Sequence, residues 1–407
     1  MMEELERKFI KLILNRCLNF NQSKSLMIHC DLKEHVRFAE LVKEEANRMG
    51  IMDVCIHVTD FDEVHEYLQE NDSEDIVLNP LIDRSDWDLY SKKGAPLLFL
   101  NTVVPGLMDD ISSDKMKKWI DEREKSTKYY RANVSKYTFP WCIIALPNER
   151  WAKSVYGDVD DAYNKLYMNI MKMCMIDQEN PIQAWEEYIK KNNYYKNKLN
   201  SMGIKSLHYK NSLGTDFTIG LSETCQWTNL DKTDAKGGTM IANMPSYEIF
   251  TTPDCRTANG IVYSSRPLIY NECKIDEFSI EFREGRVVAC HAKKGLEVLK
   301  ELIFGNENAD RLGEVALVPY DSPISNTGLV FNATLFDENA SCHLALGRGY
   351  ANCYRKDLVK TDEDRLKYGY NDSRVHVDFM IGTSDLEIEA DTKEGKKLIF
   401  KNGNFNI

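Results

Sequence analysis

His376 and Asp378 are the residues of this chain whose types and spacing first suggest chemistry. They lie within residues 375–383, where apolar side chains alternate with other side chains until Gly382. This two-residue period predicts a β-strand, and side chains two positions apart on a strand point to the same face. An imidazole and a carboxylate held together in this way can bind a divalent metal ion. A surface hydrogen bond between the two side chains is the ordinary alternative.

Three more residues extend this candidate metal site. Glu248 follows the turn at Pro245, Glu314 lies in a predicted strand over residues 312–318, and His343 is surrounded by small and apolar residues. A carboxylate buried in a strand must be paired, hydrogen-bonded or bound to metal, because burying it bare costs on the order of several kcal/mol. Three carboxylates and two imidazoles suffice for two divalent ions that share one bridging carboxylate.

Each of these three residues also has an ordinary structural explanation. Glu248 could cap a turn, Glu314 could pair with Arg311 or Arg348, and His343 could be a core histidine with its hydrogen bonds satisfied. Acids and histidines are common outside metal sites, so no single residue decides between the two interpretations.

The composition excludes several classes of protein. The chain has 407 residues, 43% of them hydrophobic and 29% charged, which is typical of a soluble globular protein with two domains. Its 52 Lys and Arg against 64 Asp and Glu give a net charge of −12. Since an acidic chain without a Lys/Arg block repels nucleic acid, we expect no nucleic-acid partner.

The spacing of the cysteines and the composition of the first residues favour a cytoplasmic location. The eleven cysteines are scattered without a C-x-x-C pair, which favours reduced thiols over disulfides or a structural zinc site. The first six residues lack the basic and apolar regions of a signal peptide, and no apolar run approaches the roughly 20 residues of a membrane helix. We therefore expect a cytoplasmic protein with no membrane association.

The elements that must position these residues fall into two halves. Up to about residue 203, strands predicted at 25–30, 51–58, 97–104 and 141–146 alternate with helices, which is typical of a parallel α/β sheet. Strands and turns dominate after that, with one helix at about 293–304. The fold class is therefore α/β: a parallel-sheet domain over residues 1–203, followed by a mixed α+β domain over residues 204–407 that carries the metal site.

A nucleotide-binding function for the first half is a weaker alternative. No glycine-rich loop follows any of its first three strands, and G-x-x-x-x-G-K-[ST] is absent from the sequence. The four histidines of this half are interpreted as ordinary core or surface residues; they are His29, His35, His57 and His65.

Four segments of the second half resemble a known family. They are residues 243–254, 312–324, 338–350 and 376–383. In their sequence, and in the intervals of 66, 29, 33 and two residues that separate the five candidate ligands, they are similar to the M29 metallo-aminopeptidases, the thermophilic aminopeptidase T type. The resemblance is strong over the second half, and it extends to the first half mainly through the order of its elements.

The resemblance implies a function and a role for each residue. Glu248, Glu314, His343, His376 and Asp378 would bind two divalent ions of zinc, cobalt, manganese or magnesium, with Glu314 as the bridge and a candidate general base. A second catalytic residue would follow seven positions after His343; it is Tyr350. The implied reaction is removal of the N-terminal residue of short peptides through a water activated by both metals.

The resemblance also implies an assembly and leaves alternatives open. Family members form homodimers in which the first domain helps to enclose a cavity, and the aromatic helix at 182–202 is a candidate contact surface. Tyr247 stands where the family commonly has an acid next to the ligand Glu248. This departure keeps two alternatives open: another metallohydrolase such as a dipeptidase or amidase, or a catalytically impaired peptide-binding relative.

Overall fold

The computed structural model describes residues 2–20, 23–134, 136–270 and 273–407. The helices are α1 Met2–Leu12, α2 Val36–Arg48, α3 Phe61–Glu70, α4 Ser85–Lys93, α5 Ser113–Ser126, α6 Lys128–Val134, α7 Glu149–Tyr156, α8 Ala162–Met173, α9 Pro181–Met202, α10 Leu296–Phe304, α11 Thr334–Asp337 and α12 Asp362–Lys367. Within these described ranges, no helix is long and apolar enough to span a membrane.

The strands are short and numerous in the second half of the chain. They are β1 Ser25–Cys30, β2 Asp53–Val58, β3 Leu97–Asn101, β4 Trp141–Ala145, β5 Ser206–Lys210, β6 Asp216–Gly220, β7 Thr228–Asn229, β8 Asp231–Thr233, β9 Thr239–Ile241, β10 Asn243–Met244, β11 Ile249–Thr251, β12 Asn259–Tyr263, β13 Leu268–Tyr270, β14 Cys273–Arg283, β15 Arg286–Lys294, β16 Leu312–Leu317, β17 His343–Gly347, β18 His376–Met380, β19 Glu387–Thr392, β20 Gly395–Lys401 and β21 Asn404–Phe405. The fold is mixed α/β, as the sequence predicts.

The chain packs into two compact units. Unit 1 comprises Met1–Glu186 and Asp231–Pro245, and unit 2 comprises Glu187–Leu230 and Ser246–Ile407. The division therefore falls inside α9, and a later segment of the chain returns to unit 1. The domain boundary near residue 203 stays a prediction.

Unit 1 is built on a parallel sheet. Its strand order is β2, β1, β3, β4 and β10, and every neighbouring pair is parallel. The interior strand β1 is an almost continuous apolar run because both faces of a parallel sheet are covered. On one face, Met27 and Phe99 pack with Trp87 and Tyr90 of α4.

Unit 2 contains two antiparallel sheets. A nine-stranded sheet has the order β13, β14, β12, β6, β5, β19, β20 and β21, with β15 paired to β14. A five-stranded sheet has the order β18, β17, β16, β11 and β7. Buried side chains from both sheets and from α10 form one apolar core. It includes Ile280 of the first sheet, Leu344 and Phe379 of the second, and Leu299 of α10.

Several element boundaries differ from the sequence-based expectations. The helix expected at 293–304 begins at Leu296, because Lys293 and Lys294 still belong to β15 and Gly295 takes a left-handed conformation. Helices α5 and α6 are separated at Thr127, which ends α5 directly before Lys128 begins α6. Two amphipathic helices, α4 and α7, were not predicted at all.

Candidate metal centre

Three neighbouring strands bring four of the candidate ligands to one face of the five-stranded sheet. In the antiparallel register, Glu314 of β16 and Asp378 of β18 both lie opposite Ala345 of β17. His376 lies opposite the last residue of β17, whose first residue is His343. Residues directly opposite in an antiparallel pair share a face, as do residues two apart on one strand. The register therefore places all four ligand side chains on the same face.

Small residues alternate with the ligands on this face. Ala316, Ala345 and Gly347 occupy the positions between or opposite them, so these positions leave room for the ligand side chains. Gly347 has a φ of +93°, and a Cβ there would lie 2.1 Å from the carbonyl oxygen of Val375. Only glycine permits this close approach of β17 to the start of β18.

A β-bulge directs Glu314 toward this face. The register between β16 and β17 shifts between Leu312 and Glu314. At Gly313, inside the bulge, an added Cβ would lie 2.3 Å from the carbonyl oxygen of Arg348. Bulges commonly re-aim a side chain beside a functional site, and here the re-aimed side chain is a carboxylate that is 2% exposed.

Glu248 completes the set from the neighbouring strand. It immediately precedes β11, and Phe250, two residues later, lies opposite Ala316. Glu248 therefore shares the face of the other ligands, and its Oε2 lies 3.3 Å from Nε2 of His343.

The five side chains form two triads that have one member in common. The first consists of Glu248, Glu314 and His343, and the second of Glu314, His376 and Asp378. Within each triad the potential ligand atoms lie within 4.8 Å of one another. All five predicted ligands are thus brought together, and the shared residue is the one expected to bridge.

Both imidazoles are oriented by the backbone. Nδ1 of His343 donates to the carbonyl of Ser341 at 3.2 Å, and Nδ1 of His376 donates to the carbonyl of Arg348 at 2.6 Å. Because a carbonyl can only accept, these bonds place the proton of each neutral ring on Nδ1. The Nε2 lone pairs then point into the cluster, which is how metal-binding histidines are usually held.

The close approach of buried charged groups shifts the pKa values of this cluster strongly. Burial raises the pKa of Glu314 to about 7, the charges of Asp378 and Glu248 act in the same direction, and His376 opposes them. Burial alone would lower the pKa of His343, but the hydrogen bond with Glu248 and the nearby carboxylates raise it to about 10. Cationic partners are therefore strongly favoured at this face.

The donor set fits divalent metal ions. Nε2 of His376 and Oδ1 of Asp378 are buried, and within the described part of the chain neither has a hydrogen-bond partner. Nε2 of His376 lies 3.1 Å from Oε2 of Glu314 and 3.4 Å from Oδ1 of Asp378. Mixed carboxylate and imidazole donors suit ions such as zinc, cobalt and manganese.

Glu338 is a further acid whose charge interacts with this centre, and sequence reasoning gave it no role. Burial raises its pKa well above the ordinary value, and the charges of Asp378 and Glu248 add to this effect. The amide nitrogen of Asn339 donates to Oε1 of Glu338 at 3.3 Å. The available signal was an acid five residues before His343 in a stretch of small and apolar residues.

The two tyrosines that the sequence singled out have different surroundings. The Tyr350 ring lies 4.7 Å from the His376 ring and remains 38% exposed. Desolvation of its hydroxyl, followed by the charge of Glu314, raises the pKa of Tyr350 well above its usual range. Tyr247 is only 1% exposed, and its ring packs edge-on against Tyr188 at 5.1 Å.

A mixed α/β fold that gathers carboxylates and imidazoles on one face of a sheet is typical of the metal-dependent hydrolases. The profile of the thermophilic metalloproteases, family M29, matches residues 2–405. Aminopeptidase PepS of Streptococcus thermophilus is 31% identical over 409 residues, covering 100% of this chain and 98% of that protein. Aminopeptidase 2 of Geobacillus stearothermophilus is 33% identical, covering 98% and 97%.

The structural comparison agrees with the sequence comparison. The structure of wild-type AmpT from Thermus thermophilus matches with a TM-score of 0.91 at 27% identity, over 100% of both chains. The chain belongs to the M29 family of metalloproteases, and it is an aminopeptidase, a hydrolase of the EC 3.4.11 type.

Proposed function

We propose that this enzyme removes the N-terminal residue of short peptides with the help of two divalent metal ions. Glu248, Glu314 and His343 would hold one ion, and Glu314, His376 and Asp378 the other. The observation that carries this assignment is the pair of triads joined at Glu314. Two ions bound there would polarise the scissile carbonyl and lower the pKa of the attacking water.

The charge of the centre supports two ions rather than one. Four carboxylates meet here; they are Glu248, Glu314, Glu338 and Asp378. Their full ionisation would bring four negative charges into a buried site, which is unfavourable without matching cations. Two divalent ions balance that charge and leave both imidazoles neutral. Glu338 is therefore proposed as a sixth residue of the centre.

Tyr350 is proposed to donate a hydrogen bond to the oxyanion that develops on the scissile carbonyl. Its raised pKa keeps the hydroxyl protonated, and its exposure allows contact with a substrate. A donor in such a place typically contributes about 2.7–4 kcal/mol to the transition state.

Glu314 is proposed to accept a proton as well as to bridge. Burial raises the pKa of its carboxyl to about 7 in the metal-free centre, and bound cations would lower that pKa, so the carboxylate would be ionised and able to accept a proton. Its burial at 2% exposure keeps it from bulk water, so it can pass a proton only within the site.

The metal, assembly and compartment complete the proposal. The ions would be zinc, cobalt, manganese or magnesium, and purified protein would hold whichever of these was available. The enzyme would act in the cytoplasm as a homodimer, without a nucleic-acid or membrane partner. All eleven cysteines are free thiols, which suits a reducing compartment.

A substrate panel tests the reaction against its alternatives. The panel contains leucyl-p-nitroanilide, its N-acetylated form, leucinamide, leucyl dipeptides and leucyl peptides of five and ten residues. An aminopeptidase cleaves the free-amine substrates of every length and releases leucine, but it leaves the N-acetylated compound intact. Cleavage of dipeptides alone would indicate a dipeptidase, and cleavage of leucinamide alone an amidase. Binding of leucyl peptides without turnover would indicate an impaired relative.

A further inference from the structure

A cavity of about 310 Å³ lies in unit 1 at the carboxyl ends of the parallel strands. His29 and Asp31 line it from the end of β1, and Phe99 and Asn101 line it from the end of β3. In the order β2, β1, β3, β4, the chain leaves β1 toward one edge of the sheet and β3 toward the other. Ligands of open parallel sheets bind at this kind of divergence.

Arg84 lines this cavity with a buried positive charge. The residue is only 4% exposed, and its guanidinium stacks 4.2 Å from the centre of the Trp87 ring. Its Nε is buried without a hydrogen-bond partner, and within the described ranges its guanidinium forms no ion pair. Burial, followed by the charge of Arg123, lowers the pKa of Arg84 to about 9. A buried cation of this kind is costly unless an anion meets it.

Arg123 adds a second positive charge to the same cavity. It is half-buried in α5, and no carboxylate in the described part of the chain forms an ion pair with it. Its neighbour Glu124 is paired with Arg131. Asp31, the other acid in the lining, contacts Nε2 of His29 at 3.1 Å and accepts from the backbone N–H of Thr102 at 3.2 Å. Both acids of the lining thus have other partners, and the charge of Asp31 offsets the buried charges of Arg84 and Arg123 only in part.

The remaining wall of the cavity is aromatic. Trp87 packs edge-on against Phe99 and Tyr130, both at 5.2 Å between ring centres. His29 lies 4.8 Å from Trp87, and burial lowers its pKa to about 4, so that the imidazole is neutral at pH 7. The cavity therefore combines two cationic groups with a flat apolar surface.

We propose that this cavity binds a small organic oxyanion, whose phosphate or carboxylate group contacts Arg84 and Arg123 and whose apolar part lies against Trp87 and Phe99. Arginine is the residue best suited to such groups, because its planar guanidinium presents several donors to two oxygens at once. The site goes beyond the peptidase reaction, since all of its residues belong to unit 1 whereas the candidate metal ligands belong to unit 2.

Calorimetric titration of the intact, metal-loaded enzyme tests the proposal. The probes are phenyl phosphate, benzoate, inorganic phosphate and benzyl alcohol, the last being a neutral analogue. We expect phenyl phosphate, benzoate or both to bind with a dissociation constant of about 1 mM or tighter, and benzyl alcohol to bind much more weakly. Binding of only one of the two aromatic anions would identify the anionic group that the cavity prefers. Failure of both to bind would overturn the proposal.

Substitutions of the two cavity arginines test whether the anion binds in this cavity. Arg84→Gln and Arg123→Gln should each weaken binding at least about tenfold, whereas Arg48→Gln, which changes an exposed arginine of α2 outside the cavity, should not. Arg123 is half-buried, so its variant keeps the test available if Arg84→Gln does not fold.

Glu314→Gln separates this site from the metal centre, where phosphate could also bind. The proposal requires that this variant retain binding of the anion. Loss of binding in Glu314→Gln, or unchanged binding in both cavity variants, would place the anion elsewhere and refute the assignment.

Discussion

Nε2 of His376 lies 3.1 Å from Oε2 of Glu314, while Nδ1 of the same ring donates to the carbonyl of Arg348 at 2.6 Å. One nitrogen is thus fixed by the backbone, and the other faces a carboxylate that belongs to both triads. The backbone bond holds the ring in a metal-binding orientation before any ion arrives, so little ordering is needed on binding.

Removal of the Tyr350 hydroxyl should slow the chemical step. Tyr350→Phe should lower kcat for leucyl-p-nitroanilide about 10²–10³-fold, with little change in KM, because the hydroxyl would act mainly in the transition state. Steady-state kinetics and elemental analysis check this together. Tyr320→Phe is the matched control, since Tyr320 is equally exposed at 38%. An equal loss of kcat and of bound metal would instead assign Tyr350 to the metal site.

Substitution of Glu338 should weaken metal binding. Glu338→Gln removes one of the four carboxylates while preserving size, and we expect the affinity for at least one ion to fall about 10–100-fold. Competition with a chelator of known affinity measures this change. Glu297→Gln, at an exposed position of α10, provides the control. Unchanged affinity in Glu338→Gln would remove this residue from the centre.

An added methyl group at Gly347 should disturb the register of β17 and β18. Gly347→Ala combines a positive φ with a contact of 2.1 Å to backbone, so the free energy of unfolding should fall by more than about 3 kcal/mol. Gly395→Ala is the matched control, because its φ of +104° is similar and nothing lies within 4 Å of the new Cβ. The control should lose about 1–2 kcal/mol. Denaturant unfolding of both variants measures the difference, and equal losses would contradict the crowding argument.

The metal-free protein should lose stability as the pH rises. Groups whose pKa is higher in the folded state stabilise it fully below their unfolded pKa, and this stabilisation is lost as the pH rises through the folded pKa. For Glu314 the window runs from about 4.5 to about 7, and for His343 from about 6.5 to about 10. Urea unfolding between pH 5 and 9 should show a steeper decline for the chelated wild type than for chelated Glu314→Gln. Parallel profiles would contradict these pKa shifts.

Much of unit 1 could be predicted because its strands are apolar runs of adequate length. The strand Ser25–Cys30 has the predicted bounds, since its side chains are almost all buried. The fifth parallel strand, Asn243–Met244, was missed because two residues have no periodicity and their partner, β4, lies about a hundred positions earlier in the chain. Its place depends on tertiary contacts that local patterns do not contain.

In the candidate site, too, local sequence patterns predicted some features, whereas others depended on tertiary contacts. The alternation around His376 and Asp378 predicted that both lie on one face, and the register confirms it. The gathering of all five candidate ligands followed from the family resemblance, because their spacing alone does not specify a register. Glu338 was missed because it lies in a 3₁₀ turn, where neither strand nor helix periodicity indicates its direction. The bulge at Gly313 was likewise invisible without the partner strand.

Metal content measured together with activity tests the central claim most directly. Elemental analysis of the wild type, Glu314→Gln and the control Glu297→Gln should be combined with leucine release from a leucyl peptide before chelation, after chelation and after return of metal. We predict about two ions per chain and reversible loss of activity in the wild type and the control. In Glu314→Gln we predict weakened binding of both ions and a fall in activity of at least about 100-fold. A folded wild type that binds no metal, or that stays fully active after complete chelation, would contradict the account.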